Sequence, residues 1–405
     1  MPLRPLSFLT ALLHVYIGLR LGPAIYAANP VAAVVVLLVL ATSATTIPLP
    51  FVGLWSRHEP LSRVWQWIGL LAMGWFSSML VLTLLRDAGL MLTWLAQAAA
   101  GLAVDWPHVR QWSAFAVPLM ATASSAIGLF NARRTAPVKR VDVPIQGLPT
   151  AFDGFTIAQL SDLHVGPTIR RGYIQRIVDR VNRLEPDAIA ITGDLVDGTV
   201  AALRSHIAPL ADLKAHHGVF AVTGNHEYYA GAHAWIAEMR RLGMRVLMNE
   251  HVLIGATGAG AAQNDEEIDD ATLVLAGVTD FNAAHFDAAH ASNPTAALAG
   301  APSGATTRVL LAHQPRSAPE AAAAGFQLQL SGHTHGGQFF PWNLAVPLQQ
   351  PFTAGLNRLG GMWVYTSRGT GYWGPPKRFG APSEITLLRL VVAQTRTSNA
   401  DRQAS

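Results

Sequence analysis

No cysteine occurs anywhere in the 405-residue chain, which excludes disulfides, thiolate metal sites and cysteine nucleophiles together. Any metal must then be held by His, Asp, Glu or Asn. Charge is also scarce: Asp, Glu, Lys and Arg make up 13% of the residues, against 50% for the apolar set AVILMFWYC, where a soluble protein carries about 25% charge. The deficit is local. Before Arg133 the charged residues are only Arg4, Arg20, Arg57, Glu59, Arg63, Arg86, Asp87, Asp105 and Arg110. The other 45 fall in the remaining 273 residues, an ordinary density for a water-soluble domain. The net charge of +4 belongs to the first part, because from Val141 onward 19 basic residues face 22 acidic ones. A nucleic-acid footprint is therefore not expected.

Residues 31–54 and 64–85 are uncharged apolar runs of 24 and 22 residues, each long enough to cross about 30 Å of hydrocarbon. Residues 112–131 form a third, weaker run, and residues 5–28 a fourth, interrupted by His14 and by Arg20, which is placed to snorkel to an interface. The first run reads as a retained anchor, since further spans follow and no small-residue cleavage site stands out. Residues 88–104 are apolar between Asp87 and Asp105 and read as an interfacial helix or a short fifth span, which would export the domain; almost no room for a turn after Leu85 favours the interfacial helix. Trp55, Trp65, Trp67, Trp106 and Trp112 lie near the span ends, as an aromatic belt would place them. Four spans put Arg4, Arg57, Arg63, Arg133, Arg134, Lys139 and Arg140 on one side and Arg20, Arg86 and Arg110 on the other. That bias makes the first side cytoplasmic. The expectation is a multi-pass protein of the inner (cytoplasmic) membrane: an all-α transmembrane region of about four helices (1–132), a basic linker (133–154), a cytoplasmic domain (155–392) and a disordered tail (393–405).

From Phe155 short β-rich runs alternate with helical patterns, the signature of an α/β domain. Residues 156–161, 188–192, 219–223, 272–277, 308–312 and 326–331 read as buried strands, with 362–367 and 384–392 as later ones. Ile174, Ile177, Val178, Val181 and Leu184 share one helical face. Residues 253–270 and 283–307 are rich in Gly, Ala and polar residues and read as loops without chemistry.

Five of these strands are followed by metal-competent residues: SDLH (Ser161 to His164), GDLVD (Gly193 to Asp197), GNHE (Gly224 to Glu227), HQP (from His313) and GHTHGG (Gly332 to Gly337). Loops leaving the same ends of neighbouring strands converge, so residues distant in sequence can form one site. Oxygen and imidazole ligands suit Mn, Fe, Zn or Mg. In Asp162-Leu163-His164 and His333-Thr334-His335, alternate residues of an extended segment point the same way. Gly193, Gly224 and Gly332 leave room for tight turns before the ligands.

DxH, GDxxD, GNH, H and GHxH in that order resemble the calcineurin-like metallophosphoesterases, over about residues 155–379. GHTHGGQ (Gly332 to Gln338) and SRGTGYWGPPKRF (Ser367 to Phe379) are similar to the membrane-associated bacterial branch, which includes phosphodiesterases and a pyrophosphatase of UDP-2,3-diacylglucosamine. The resemblance implies a four-layer αββα sandwich with two facing sheets, and a binuclear phosphoesterase with two divalent ions, Mn preferred and Fe, Zn or Mg as alternatives. It further implies one ion on Asp162, His164, Asp194 and His335, and a second on Asp194, Asn225, His313 and His333. His226 would stabilise phosphoryl oxygens or protonate the leaving oxygen, with Asp197 orienting it.

Arg368 and Lys377 are candidates for meeting an anionic substrate at the rim, and Tyr228, Trp342 and Trp373 for stacking on it. His206, His216, His217, His233, His251, His285 and His290 lie outside the motifs and receive no role. The expected partners are membrane lipid and a phosphorylated small-molecule or lipid substrate. Two competing readings are a catalytically weak metal-binding scaffold or sensor, and a transporter. The transporter reading lacks paired intramembrane acids and has only Arg20 and His14 in its support.

Overall fold

The structure, a computed structural model, describes residues 3–50, 59–255, 272–302 and 307–393. These fall into two units: residues up to Arg134 together with Tyr372–Gly380, and Thr135–Gly371 together with residues from Ala381 on. The expected tail lies outside the described residues except for Ala393.

The first unit is helical: α1 (Leu3–Ala28), α2 (Pro30–Thr46), α3 (Glu59–Ala100) and α4 (Trp106–Arg133). Asn29 starts α2, its side chain accepting the Ala32 N–H at 3.0 Å with Pro30 at the first helical position, where a missing N–H costs nothing. Asp105 caps α4 in the same way through the His108 N–H. Among the described residues three helices are long and apolar enough to cross a membrane, Ser7–Ala28, Leu61–Ala100 and Trp106–Arg133, while Pro30–Thr46 is shorter. Part of the expected 31–54 run lies outside the described residues.

The interfacial helix expected over 88–104 is instead the continuation of α3, a helix of 42 residues. The helix runs unbroken through Arg86-Asp87, whose side chains both find partners, Arg86 Nη1 lying 3.3 Å from Asp87 Oδ1. Arg20 donates to Asp87 through Nε at 2.7 Å and Nη2 at 3.0 Å, Tyr16 Oη donates to the same carboxylate at 2.6 Å, and Arg86 Nε donates to Ser113 Oγ at 3.0 Å. Arg20 thus pairs with an acid rather than only snorkelling. His14 is a satisfied core residue, bonded to Thr10 O and Ser43 Oγ and stacked on Phe76 at 4.1 Å. The Tyr372–Gly380 segment belongs to this unit. Lys377, expected at a substrate rim, is buried with its ammonium donating to Gly74 O, Ser78 Oγ and Ser125 Oγ. Arg378 N donates to Gly128 O at 2.9 Å.

The second unit contains two six-stranded mixed sheets. The first runs β1 (Val138–Ile145), β12 (Ile385–Val392), β2 (Thr156–Leu160), β3 (Ala188–Thr192), β4 (Val219–Val222), β5 (Arg245–Val246). The second runs β10 (Gly355–Leu359), β11 (Met362–Thr366), β9 (Leu328–Ser331), β8 (Thr307–Leu311), β7 (Thr272–Gly277), β6 (Glu250–Gly255). Ile157, Ala190 and Phe220 of the first sheet share one buried cluster with Leu275, Leu311 and Leu330 of the second, so the sheets face each other. On the far side of the second sheet, Ala276, Leu310 and Val364 pack with Ala318 and Ala321 of a short helix, α9 (Ala318–Ala323). The remaining helices are α5 (Arg171–Asn182), α6 (Val200–Ile207), α7 (Asn225–Ala230) and α8 (Ala232–Arg241). The helical face read from Ile174, Ile177, Val178 and Val181 is buried on α5.

Two expectations need correction. The stretch taken as a linker over 133–154 contains β1, parallel to β12 from Val138↔Ile385 to Ile145↔Val392. Its Arg140 and Asp142 alternate with Val141, Val143 and Ile145, as an edge strand with one wet face requires. Likewise residues 253–255, taken as loop, close β6, whose Val252 and Ile254 point into the core. Residues 256–271 lie outside the described residues.

Leu311 is fully buried between the sheets. Leu311→Ala is expected to cost about 2–5 kcal/mol, seen as a lower thermal midpoint of the detergent-solubilised chain. Leu356→Ala, at a partly buried edge position, should shift it far less.

Candidate metal centre

β2, β3 and β4 are parallel neighbours in one sheet, and β8 and β9 are parallel neighbours in the other. Their carboxyl ends deliver Asp162 and His164, Asp194 and Asp197, Asn225 and His226, His313, and His333 and His335. The local geometry differs from the extended segments expected. Asp162, His164, Asp194, His333 and His335 have φ of 53°, 48°, 52°, 69° and 52°, in the left-handed region. Eight described non-glycine residues have positive φ, and these are five of them. Such conformations cost of order 1–3 kcal/mol each and persist only where surroundings impose them. Here the imposing contacts are loop-to-loop: Asp162 N donates to Gly193 O, His164 N to Asp194 O and Val165 N to Leu195 O. A Cβ on Gly224 would collide with the Asp194 carboxylate and backbone, and one on Gly332 with Ser161 Oγ and the Asp162 carboxylate. These two glycines therefore serve close approach.

The nine residues singled out from the sequence for metal or catalysis come together, with Asp194 among them at the centre. Its Oδ2 lies 3.2 Å from His313 Nε2, 3.7 Å from His164 Nε2 and 3.9 Å from His226 Nε2, while its Oδ1 accepts the His226 N–H at 2.9 Å. On one side His164 Nε2 and His335 Nε2 are 3.1 Å apart, with Asp162 Oδ1 3.5 Å from His335 Nε2. On the other, His313 Nε2 and His333 Nδ1 are 3.2 Å apart. Asp162 Oδ1 and Oδ2 also accept the His333 N–H. The outer nitrogens are fixed: His313 Nδ1 donates to Thr192 O at 2.8 Å, and His164 Nδ1 and His226 Nδ1 both donate to Asp197 Oδ1, at 2.8 and 2.7 Å. Each fixed ring turns its Nε2 toward Asp194, the arrangement by which outer partners orient metal-binding imidazoles.

Arg368, the substrate-contact candidate, pairs with Glu384, its Nη1 3.5 Å from Oε2. Its stem lies where a side chain on Gly336 would stand, beside His335. Tyr228 is buried and bonded to His290. Trp342 and Trp373 are exposed, the latter in the helical unit.

The electrostatics demand positive charge. Burial alone would raise the Asp194 pKa, but His313, His226 and His164 hold it well below the usual carboxylate range. Burial alone would lower that of His164, but Asp197, Asp194 and Asp162 carry it up to about 9; His313 is driven well above its usual value by Asp194 against the same burial penalty. Without a cation, protons on histidine balance the buried acids. His333, desolvated and facing His313, is pushed down to about 3 and stays a neutral donor.

The donor set fits divalent ions. Imidazole and carboxylate oxygen suit Mn, Fe or Zn, and Asn225 Oδ1 is buried without a hydrogen-bond partner. A buried amide oxygen left unpaired costs about 1–3 kcal/mol, a penalty that an ion at that point would remove.

One contributor escaped the sequence reading. Glu227 is buried and accepts three backbone N–H groups, from Asp194 at 3.0 Å, Leu195 at 2.7 Å and Gly224 at 2.7 Å. It locks the β3 loop to the start of α7. Burial and the nearby Asp194 push its carboxyl up to about 7 against those bonds. The signal was present in Gly-Asn-His-Glu, with a glutamate three residues after the N-cap as in a capping box.

A family model described as calcineurin-like phosphoesterase matches residues 155–337. A transmembrane protein with metallophosphoesterase domain from Bos taurus is 40% identical over 319 residues, covering 77% of this chain and 70% of that protein. Its namesake from Danio rerio is 38% identical over 281 residues, covering 67% and 61%. An uncharacterized metallophosphoesterase of Campylobacter jejuni is 36% identical over 262 residues, covering 64% of each. The chain thus spans less than two thirds of the latter two.

Glu227→Ala is expected to weaken divalent-ion binding about 10- to 100-fold, the usual scale for a lost supporting contact, measured by Mn²⁺ titration. Glu227→Gln, which keeps one acceptor oxygen, should fall between it and the unaltered chain.

Proposed function

We propose, from the premise that the chain belongs to the calcineurin-like metallophosphoesterase family, that it is a membrane-anchored hydrolase with two divalent ions. Asp162, His164, Asp194 and His335 hold one, and Asp194, Asn225, His313 and His333 the other, Mn²⁺ being preferred over Fe, Zn or Mg. The observations that carry this reading are the two pairs of imidazole nitrogens 3.1 and 3.2 Å apart and, on the loop after β4, the buried, unpartnered Asn225 Oδ1. When bound, such ions supply Lewis-acid stabilisation of a phosphoryl group and make water nucleophilic near neutral pH.

The chain's own residues do the rest. Asp194 sets the spacing of the two halves, and Asn225 and His313 fix one of them from opposite sheets. Asp197 accepts from His226 Nδ1 and so leaves Nε2 facing the centre, where the ring as imidazolium would stabilise phosphoryl oxygens or give its Nε2 proton to the departing oxygen. Asp197, bonded also to His164, couples the acid to the ligand cluster and holds both rings in one orientation. The helices apolar enough to cross a membrane favour a phosphodiester or pyrophosphate met at the bilayer surface, lipid-linked or nucleotide-linked, with UDP-2,3-diacylglucosamine among the compounds to assay. Arg368, next to Gly336, is the candidate contact for a second phosphate. The excess of basic residues near one side of the spans supports a catalytic unit on the cytoplasmic side of the inner membrane.

Mn²⁺-reconstituted chain should hydrolyse an aryl phosphodiester and lose that activity to a chelator; absence of bound transition metal on mass-spectrometric analysis would defeat the reading. Asp194→Asn should lose metal and turnover together. His226→Ala should keep metal and lose turnover by roughly 10²- to 10⁴-fold; equal metal loss in both variants would refute the division of roles. A reporter active only outside the cytoplasm, fused after Ser405, is expected to stay silent, and a strong signal would reverse the orientation while leaving the metal centre untouched.

A further inference from the structure

Outside this centre, a second group of metal-competent side chains gathers from parts of the sequence that carried no motif. His233 lies on α8, while Asp287 and His290 lie on the segment between β7 and β8 that reads as a loop without chemistry. The three offer ligand atoms all within 4.8 Å of one another. His233 Nε2 is 3.1 Å and His290 Nε2 3.9 Å from Asp287 Oδ2, and the two imidazole rings are 5.0 Å apart.

Each inner member of the group is held from behind. His290 Nδ1 is hydrogen-bonded to Tyr228 Oη at 3.0 Å, and the His290 carbonyl accepts from Thr279 Oγ1 at 2.8 Å. The Asp287 Oδ1 atom accepts the Ala289 N–H at 3.0 Å, which leaves Oδ2 turned to the histidines. The Ala289 bond caps the short turn Ala288–His290, and with the Tyr228 bond it presets the Asp287 and His290 side chains, as outer partners preset the ligands of metal sites. The group is open to solvent on the His233 side, whose side chain is 76% exposed, against 16% for His290. Ion entry therefore needs no rearrangement, and water can complete the coordination.

We propose that His233, Asp287 and His290 form a peripheral site for one divalent ion of the zinc class, separate from the centre around Asp194. Two imidazoles and one carboxylate select Zn²⁺, Co²⁺ or Ni²⁺ over Mg²⁺ and Ca²⁺, which prefer oxygen alone. The ion clasps the β7–β8 segment to α8. Phe286 of that segment packs on Tyr228 at 5.7 Å and on Tyr229 at 5.6 Å, and Tyr229 packs on His226 at 5.2 Å between ring centroids. The clasp thus closes behind the aromatic wall against which His226 rests.

The test is Zn²⁺ stoichiometry, by equilibrium dialysis and mass-spectrometric metal analysis, on the chelator-stripped full chain in detergent. Four forms are compared: unaltered, His233→Ala, Asp287→Ala and Asp194→Asn. His233→Ala and Asp287→Ala should each bind one equivalent of Zn²⁺ fewer than the unaltered chain while keeping Mn²⁺-dependent phosphodiesterase activity. Asp194→Asn should lose uptake elsewhere yet retain the equivalent that Asp287→Ala lacks, so the peripheral site stands or falls apart from the binuclear reading. Because His233 is exposed, its removal leaves the fold intact. Unchanged Zn²⁺ uptake in His233→Ala overturns the proposal.

Discussion

The Asp194 carboxylate organises the second unit's chemistry because it is buried where four loops from two sheets meet. A lone ionised carboxylate in such a place is strongly disfavoured by desolvation. It remains ionised because His313, His226 and His164 surround it, because its Oδ1 accepts the His226 N–H, and because its own backbone N–H is held by Glu227. These contacts come from three loops, those after β2, β4 and β8. Gly224 has to lack a side chain because Asp194 occupies the space beside it. The charge thus dictates the backbone around it as much as the backbone positions the charge.

The scaffold is rigid enough to support this. Five candidate ligands sit in left-handed conformations, a cumulative strain that short loops on an isolated sheet would relax. Facing sheets with an apolar interior from Ile157 to Leu330 leave the loops no such freedom, since relaxing one would expose core or break a neighbour's hydrogen bond. Strain concentrated at a ligand cluster is how a fold pre-sets geometry before an ion or substrate arrives.

Much of the unit was legible in the sequence for local reasons. The strands over 188–192 and 272–277 match their expected bounds because both are short apolar runs bounded by polar residues or Gly. The ligand candidates were visible because they follow such runs, and Asp, Asn and His tolerate left-handed backbone better than most residues. What escaped is non-local. β1 hid behind alternating charges next to the last helix, and its pairing with β12 joins residues about 250 apart in the chain. Arg20 meets Asp87 across 67 positions, which nothing in either neighbourhood foretells, and so an unbroken α3 was read as a span and an interfacial helix. Lys377 and the His233–Asp287–His290 group are of the same kind: their partners are set by the fold.

The most direct measurement is anomalous diffraction at the manganese edge from crystals of the full chain grown with Mn²⁺. Two peaks are expected with the Asp194 carboxylate between them, one of them in contact with Asn225 Oδ1 and His313 and the other with Asp162 and His335. No peak within this cluster, or a single peak with Asn225 Oδ1 outside its coordination sphere, would contradict the binuclear centre.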